Sequence, residues 1–299
     1  MKGQVIRTQS GFFTVQTSSG RIVCQLRGRL KKGSREGDIV AVGDWVEVTR
    51  LEDGTGMIEN IAPRKSMFVR MAPLPQGEYQ QIIVANPDQV ALVFASAEPE
   101  PRLGMLDRYL VVAESQQVAP LIVVNKIDLT GLERAREVFD LYAGLNYPLI
   151  YTSAKKGDGI EQLTRELTGK ITLFTGPSGV GKTSLLNAIQ PGLGLEVRKV
   201  SQATSKGRHT TVYRQMVPLD GGGYVVDTPG LKALALWDIE PEELDGYFPD
   251  ISPLVERCQF SDCTHVHEPG CAVLEGLDDG TINPQRYESY LRIRFGEED

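Results

Sequence analysis

The stretch GPSGVGKTS at residues 176–184 decides the fold, and it follows an apolar segment at residues 171–174. It fits the pattern G-x-x-x-x-G-K-[ST] between a strand and a helix, which is typical of a phosphate-binding loop, or P-loop. Glycines let such a loop curl so that main-chain N–H groups face the phosphates, and the following helix adds a positive dipole. The whole stretch is therefore predicted to bind nucleotide: Gly176, Pro177, Ser178, Gly179, Val180, Gly181, Lys182, Thr183 and Ser184.

Two further motifs favour guanine over adenine. The first is Asn125-Lys126-Ile127-Asp128, at the end of a predicted strand. A carboxylate at Asp128 can accept from the two neighbouring donors of guanine, a pair that adenine lacks. Lys126 is expected to lie along the base, and Asn125 to tie the motif to the P-loop. The second motif is Ser153-Ala154-Lys155, which can contact the base through a main-chain N–H.

Contacts to Mg²⁺ and to the terminal phosphates are predicted around the P-loop. Lys182 can reach the β/γ-phosphates, and the Thr183 hydroxyl and the Asp227 carboxylate suit Mg²⁺. The main-chain N–H of Gly230, in Asp227-Thr-Pro-Gly230, suits the γ-phosphate. Another magnesium ligand is expected to be a Thr of the polar loop at residues 198–214. The similarity of its Thr pair to that of other GTPases implies Thr211 and leaves Thr210 open.

The order of these motifs is unusual, because the two guanine motifs precede the P-loop. This order indicates a circular permutation of a translation-factor-type GTPase. Such a permutation is physically permissible, because the site is assembled from loops at one edge of a sheet, whatever the chain order.

Residues 73–235 alternate buried-type strands with helices, which predicts a parallel sheet covered on both faces. The predicted strands are residues 89–94, 121–124, 149–152, 171–174 and 224–226, and the predicted helices are residues 104–117, 131–144, 159–168 and 182–190. The predicted fold class is an α/β P-loop GTPase domain, circularly permuted.

Residues 1–72 are predicted to form an OB-like barrel of five short strands, at residues 3–8, 12–17, 21–26, 44–49 and 56–61. This segment carries twelve Lys and Arg against seven Asp and Glu. Its basic run, Arg27, Arg29, Lys31 and Lys32, is a candidate RNA contact. The alternative is a packing domain with a solvated basic loop. Residues 63–87 are predicted to be a linker.

Residues 236–299 are predicted to form a small helical metal-binding domain. The spacing Cys258-x4-Cys263-x-His265-x5-Cys271 supplies three thiolates and one imidazole, a closed tetrahedral set typical of structural zinc. His267 is a competing ligand, and Cys24 is predicted to be a core residue. Short helices are expected at residues 241–247 and 284–295. The segment carries four Lys and Arg against sixteen Asp and Glu, which argues against broad phosphate binding there.

Composition excludes several other classes of protein. A hydrophobic content of 41% and a charged content of 24% are ordinary for a globular chain. The longest apolar runs are far shorter than the roughly 20 residues that a membrane helix needs. The N-terminus shows no secretory signal, and three of the four cysteines cluster, which favours a metal site in a reducing compartment. We therefore expect a cytosolic protein.

The barrel, the permuted GTPase and the Cys/His spacing together resemble the ribosome small subunit-dependent GTPase family (RsgA, also called YjeQ or YloQ). The sequence Gly-Arg-His-Thr-Thr at residues 207–211 is similar to that family's switch I, although Val212 replaces its third Thr. The resemblance implies GTP hydrolysis in the cytoplasm, coupled to late 30S maturation, with 16S rRNA contacts. It also implies one structural zinc and Mg²⁺ bound with GTP.

The sequence also bears on the catalytic residue, the oligomeric state and the competing functions. Leu231 occupies the position after D-x-x-G where many GTPases have a Gln that orients the attacking water. Because an aliphatic side chain cannot bond a water molecule, His209 in the predicted switch I is the candidate catalytic residue. The chain is expected to be a monomer. The competing functions are an RNA-binding regulatory GTPase not dedicated to the ribosome and a P-loop nucleotide kinase.

Overall fold

A computed structural model describes residues 1–32, 38–71, 80–193, 214–227 and 239–297. Its first five strands close into a barrel, in the order β1-β2-β3-β5-β4 with β4 returning to β1. β3 and β5 pair in parallel, and the other neighbours pair antiparallel. This topology confirms the OB-like prediction. The strands are β1 Lys2–Gln9, β2 Phe12–Thr17, β3 Gly20–Leu26, β4 Trp45–Arg50 and β5 Gly56–Ile61.

Buried and exposed residues alternate along β3, which separates the barrel's inside from its outside. In β3, Ile22, Cys24 and Leu26 point into a core that also holds Val15 and Ile58. Burial raises the pKa of the Cys24 thiol to about 11, so this cysteine is neutral and unreactive near pH 7. A 3₁₀ helix, Gly28–Lys32, follows β3.

The linker prediction for residues 63–87 is wrong for the two segments that form a hairpin, β6 Met67–Met71 and β7 Gln80–Ala85. Pro73, Pro75 and Gly77 lie outside the described residues. The Gln116 side chain binds the hairpin edge, accepting from Val69 N–H at 2.8 Å and donating to Val69 C=O at 3.2 Å. Ala85 N–H of the hairpin donates to Val42 C=O of the first domain at 2.8 Å, so the hairpin fastens the barrel to the second domain. The composition could not indicate the Gln116 contact, because Gln116 lies 47 residues away from Val69 in sequence.

The second domain is an α/β sheet in the order β10-β9-β8-β11-β13-β12, in which only β12 is antiparallel. Apolar clusters cover both faces, so the predicted doubly covered sheet is confirmed. The strands are β8 Gln89–Ala95, β9 Ala119–Asn125, β10 Leu149–Tyr151, β11 Ile171–Thr175, β12 Arg214–Pro218 and β13 Tyr224–Asp227. The helices are α1 Leu103–Ser115, α2 Ile127–Thr130, α3 Leu132–Gly144, α4 Ile160–Leu167 and α5 Lys182–Ile189, followed by a 3₁₀ turn, Pro191–Leu193.

The barrel and the second domain share one continuous eleven-stranded sheet. β12 pairs on one side with β13 and on the other with barrel strand β1, through Arg7↔Gln215 and Thr8↔Arg214. An edge strand of the nucleotide domain is thereby covered by main-chain pairing, which protects it from pairing with other chains.

The C-terminal segment is small and helical, as predicted. It contains a 3₁₀ helix, Leu244–Tyr247, and helices α6 Ser252–Val255, α7 Ala272–Asp278 and α8 Pro284–Arg294. The Asn283 side chain caps α8 by accepting from Gln285 N–H at 2.8 Å. The helix predicted at residues 241–247 is limited to the 3₁₀ turn. The segment's core includes Val111 of α1, so it packs directly on the nucleotide domain.

Arg286 of α8 is the polar centre of that contact. Its side chain is 2% exposed, and its guanidinium pairs with Asp107 of α1 and with Asp250 at 2.9 Å. It also lies 4.5 Å from the ring centroid of Phe248. Burial alone would lower the pKa of Arg286, but the two carboxylates more than offset this and raise it. The guanidinium is therefore a permanent buried cation joining the two domains.

None of the helices in the described parts of the chain has the length and apolar character needed to cross a membrane.

Candidate nucleotide site and metal centre

The motifs converge at one edge of the parallel sheet, where the carboxyl ends of five strands meet. The P-loop follows β11, Asn125 ends β9, and Ser153 comes two residues after β10. β13 runs parallel to β11, with Asp227 paired to Phe174 beside the P-loop. This is the edge at which α/β sheets bind ligands.

Two glycines make the P-loop possible. Gly176 has φ 141°, and a Cβ there would lie 2.1 Å from the carbonyl oxygen of Val93. Gly181 has φ 95°, and a Cβ there would lie 2.5 Å from Asn125 Nδ2. Any larger residue would clash with a neighbouring strand end. The Lys182 ammonium donates to the carbonyls of Gly176 and Pro177, at 2.7 and 2.8 Å, and therefore lies against the loop.

Asn125 holds three parts of the site together. Its side chain is buried, and its Nδ2 donates to Val180 C=O of the P-loop at 2.9 Å. Its Oδ1 accepts from Ala154 N–H at 3.1 Å and from the Thr152 hydroxyl at 3.3 Å. Segments that are far apart in sequence are thus fixed by one amide.

Asp128 is oriented by the second guanine motif. The hydroxyl of Ser153, which is fully buried, donates to Asp128 Oδ1 at 2.7 Å. Lys126 has a left-handed backbone with φ 65°, and its ammonium donates to Glu98 C=O. The hydroxyl of Ser96 donates to Lys126 C=O at 2.8 Å. Sequence reasoning missed Ser96 and Glu98, although both follow β8 at the same edge of the sheet.

The Cys/His cluster has the geometry of a tetrahedral metal site. The ligand atoms of Cys258, Cys263, His265 and Cys271 all lie within 4.8 Å of one another. His265 Nδ1 is 3.3 Å from Cys271 Sγ and 3.6 Å from Cys258 Sγ. Bonds of about 2.3 Å to sulfur and 2.0 Å to nitrogen would separate tetrahedral zinc ligands by about 3.5–3.8 Å, so the set fits. His267 is exposed and lies outside the cluster.

The loop that carries these ligands is held by side chains around it. The Glu268 carboxylate accepts from the N–H groups of Thr264 and Val266, each at 3.0 Å, and of His267 at 3.1 Å. The Thr264 hydroxyl, together with these donors, lowers the pKa of Glu268 well below its usual range. Tyr287 of α8 donates to His265 C=O at 2.7 Å. Burial raises the pKa of the Cys263 thiol to about 12, so a bound cation would be needed to hold it as a thiolate.

Comparison with known proteins identifies the family. A model described as RsgA GTPase matches residues 61–237, and one described as RsgA N-terminal domain matches residues 2–58. The chain belongs to the RsgA GTPase family. It is therefore a GTP hydrolase, and the family implies Mg²⁺ bound with GTP.

Named relatives resemble this chain over nearly its whole length. The small ribosomal subunit biogenesis GTPase RsgA of Thermotoga maritima is 44% identical over 299 residues, covering 98% of this chain and 96% of the relative. The protein of the same name from Gemmatimonas aurantiaca is 43% identical over 296 residues, with the same coverage.

Solved structures of this family also resemble the chain. The crystal structure of YjeQ from Thermotoga maritima matches with a TM-score of 0.80 and 42% identity, covering 99% of this chain and 97% of that one. YloQ, described as a circularly permuted GTPase, matches with a TM-score of 0.75 and 32% identity, covering 99% and 94%. The predicted circular permutation is thereby confirmed.

Several predicted site residues lie outside the described residues: His209, Thr210, Thr211 and Gly230. Asp227 is described only in its backbone, at the end of β13. Thr183 and Ser184 lie in the first turn of α5. Their proposed roles therefore rest on the sequence motifs.

The basic run of the barrel is partly compensated by an acid. Arg27 and Arg29 are exposed, but Arg27 pairs with Glu59, and Arg29 donates to Glu59 C=O at 2.8 Å. Lys31 and Lys32 end the 3₁₀ helix, and their side chains are outside the description.

A separate cleft of about 340 Å³ lies on the outer face of β1, β2 and β3. Arg7, Thr14 and Val23 are cross-strand neighbours there, and Phe12 is 49% exposed. The remaining lining residues are Gln9 and Ser10. The described lining residues thus offer a cation, polar groups and an aromatic surface. The sequence signal for it was an aromatic pair directly after the turn at Ser10 and Gly11.

Proposed function

We propose that this chain is a GTPase that binds the 30S ribosomal subunit and couples GTP hydrolysis to a late step of its maturation, as a monomer in the cytoplasm. The observation that carries this proposal is the main-chain pairing of β12 with β1. β12 directly follows the segment that contains the predicted switch I, and β1 belongs to a barrel of RNA-binding type. Nucleotide-dependent and RNA-dependent parts of the chain are therefore joined by one sheet. The names of the relatives, small ribosomal subunit biogenesis GTPase, supply the partner.

Cosedimentation tests this function directly. The chain should pellet with 30S but not with 50S subunits in the presence of a non-hydrolysable GTP analogue, and GDP should weaken the association. Binding to RNA without preference for 30S subunits would instead support a regulatory GTPase not dedicated to the ribosome. A phosphorylated acceptor in place of free phosphate would indicate a kinase.

In this proposal, Asp128 recognises guanine, Lys126 lies along the base, and Asn125 fixes both to the P-loop. The P-loop main chain and Lys182 bind the phosphates. The Mg²⁺ ligands are Thr183, Thr211 and Asp227, and the main-chain N–H of Gly230 contacts the γ-phosphate. The support comes from the convergence of the described members at one sheet edge and from the buried Asn125 amide.

Asp128→Asn should lower GTP affinity about ten- to a hundredfold, because hydrogen bonds to a charged group are each worth roughly 1.5–3 kcal/mol. The Ser153 hydroxyl can still donate to the new side-chain oxygen, so the loop should keep its shape. Titration with fluorescent GTP and xanthosine nucleotides measures the change. Glu161→Gln, an exposed charge paired with Arg165 on α4, is the matched control. Unchanged GTP affinity in Asp128→Asn would contradict the assignment.

For the barrel we propose contacts to 16S rRNA, made by Arg27, Arg29, Lys31 and Lys32 together with the cleft. Phosphates can replace Glu59 as the partner of the exposed arginines, since surface ion pairs are weak. In the cleft, a nucleobase can stack on Phe12 while Arg7 faces the backbone.

Neutralising the four basic residues should weaken 30S association. The slope of log affinity against log salt concentration should become shallower by about 0.7–0.9 for each lost phosphate contact. Phe12→Ala should weaken association at every salt concentration and leave the slope unchanged, because stacking releases no counterions. Phe295→Ala, which removes another exposed aromatic side chain, directly after α8, is the control. An unaltered slope in the neutralised variant would favour a solvated loop.

We further propose that the metal is one structural zinc ion, held by Cys258, Cys263, His265 and Cys271. Three thiolates and one imidazole fill a tetrahedral zinc site and leave no position for water. The support is the grouping of these four ligand atoms within 4.8 Å.

His209 is the proposed catalytic residue that positions the attacking water. His209→Ala should keep GTP affinity and lose most of the stimulation of hydrolysis by 30S subunits, because Leu231 cannot bond a water molecule. Phosphate release with and without 30S subunits measures this. Full stimulation in the variant would place the catalytic group elsewhere, on the ribosome or on another residue of the chain.

A further inference from the structure

Asp245 lies on the opposite side of the His265 ring from the thiols. Its Oδ2 is 3.2 Å from His265 Nε2, whereas His265 Nδ1 faces Cys271 and Cys258. The His265 side chain is fully buried and that of Asp245 is 17% exposed, so the contact is shielded from solvent.

This arrangement selects one form of the ring. A neutral imidazole carries one N–H and one lone pair, and only the lone pair can bind a metal ion. A carboxylate beside Nε2 can only accept, so it holds the proton on Nε2 and leaves Nδ1 as the ligand. Carboxylates in this position orient metal-binding histidines and increase their basicity.

Asp245 also connects the metal loop to another part of the fold. It belongs to the 3₁₀ helix Leu244–Tyr247, whose Leu244 lies in the same core as Val111 of α1. The carboxylate is therefore carried by a turn packed on the nucleotide domain, twenty residues away from His265 in sequence.

We propose that Asp245 is the positioning residue of the metal site: it fixes Nδ1 of His265 as the metal ligand and so links metal binding to the docking of the 3₁₀ helix on α1. This inference rests on the zinc site proposed above. Asp245 itself contacts no metal, and its effect passes through the imidazole.

Zinc affinity, measured on the full chain by competition with a chelator, tests the link. Asp245→Ala should bind zinc about ten- to a hundredfold more weakly. Asp245→Asn keeps one acceptor oxygen but no charge. Its zinc affinity should fall several-fold and remain higher than that of the alanine variant. Asp262→Ala removes an exposed acid beside ligand Cys263 and should match the wild type. Unchanged affinity in both Asp245 variants overturns the proposal, and the asparagine result decides if the alanine variant does not fold.

Two readouts separate positioning from a merely structural role. The chain has three histidines, so ¹⁵N-histidine spectra of the zinc-bound protein should assign a proton to Nε2 and the metal to Nδ1 of His265. Hydrogen exchange at residues 244–248 should slow on zinc binding in the wild type, and this protection should be lost in Asp245→Ala at saturating zinc. A metal on Nε2 overturns the proposal. If the wild type binds no zinc at all, the zinc assignment itself fails, which is a different result.

Discussion

Cys263→Ser should lose about one equivalent of zinc and unfold much of residues 239–297. Apparent binding free energies of structural zinc are about 10–16 kcal/mol in small zinc-binding peptides, and this energy is folding energy where the site forms only on folding. The segment's remaining core is small, with Leu244, Phe248 and Tyr290 at its centre. Nucleotide affinity should survive, because the P-loop lies on a different domain.

Metal analysis of the purified protein and hydrogen exchange of the C-terminal segment measure these effects. The fourth cysteine supplies a matched control, because Cys24 is buried in the barrel, away from the cluster. Cys24→Ser should keep the full metal content. A collapse of GTP binding in Cys263→Ser would show that the two domains fold as one unit.

Arg286→Leu should destabilise the protein by about 3–5 kcal/mol, because it leaves the buried carboxylates of Asp107 and Asp250 without their cation. The loss corresponds to a fall in melting temperature on the order of 10 °C for a chain of this size. The effect should concentrate at the contact between α8 and α1, where the guanidinium also packs on the Phe248 ring.

Thermal unfolding and hydrogen exchange at the α1 contact provide the measurement. Arg292→Leu is the control on the same helix, since its ion pair with Glu288 is exposed and should contribute at most about 1 kcal/mol. Equal stability of the two variants would show that the buried ion pair contributes no more than a surface pair.

The sequence predicted the parts whose chemistry depends on local spacing. The P-loop requires glycines and a lysine within nine residues, and the Cys/His ligands lie within fourteen. Strand and barrel predictions succeeded for a similar reason, because alternation along β3 and continuous burial along β8 are written directly in the residue order. The circular permutation was also readable, since it is a matter of motif order alone.

The hairpin of β6 and β7 could not be predicted from the sequence. Its composition indicated a linker, but the hairpin is fixed by the side chain of Gln116 and by burial of Phe68, Ile83 and Val84 in the core of the second domain. Asn125 was predicted in part. The sequence identified its motif, but its simultaneous contacts to Val180 and Ala154 depend on how the fold brings three loops together.

The sequence by itself thus determined the fold class and the GTPase chemistry of this chain, and it predicted the ligands of a metal site. Tertiary structure alone decided how the domains are joined: β12 to β1, Arg286 to Asp107 across 179 residues, and Asp245 to His265. The physical reason is that phosphate, guanine and metal binding use short runs of residues with fixed geometry. A domain contact instead depends on which surfaces pack together, and no local spacing records that choice.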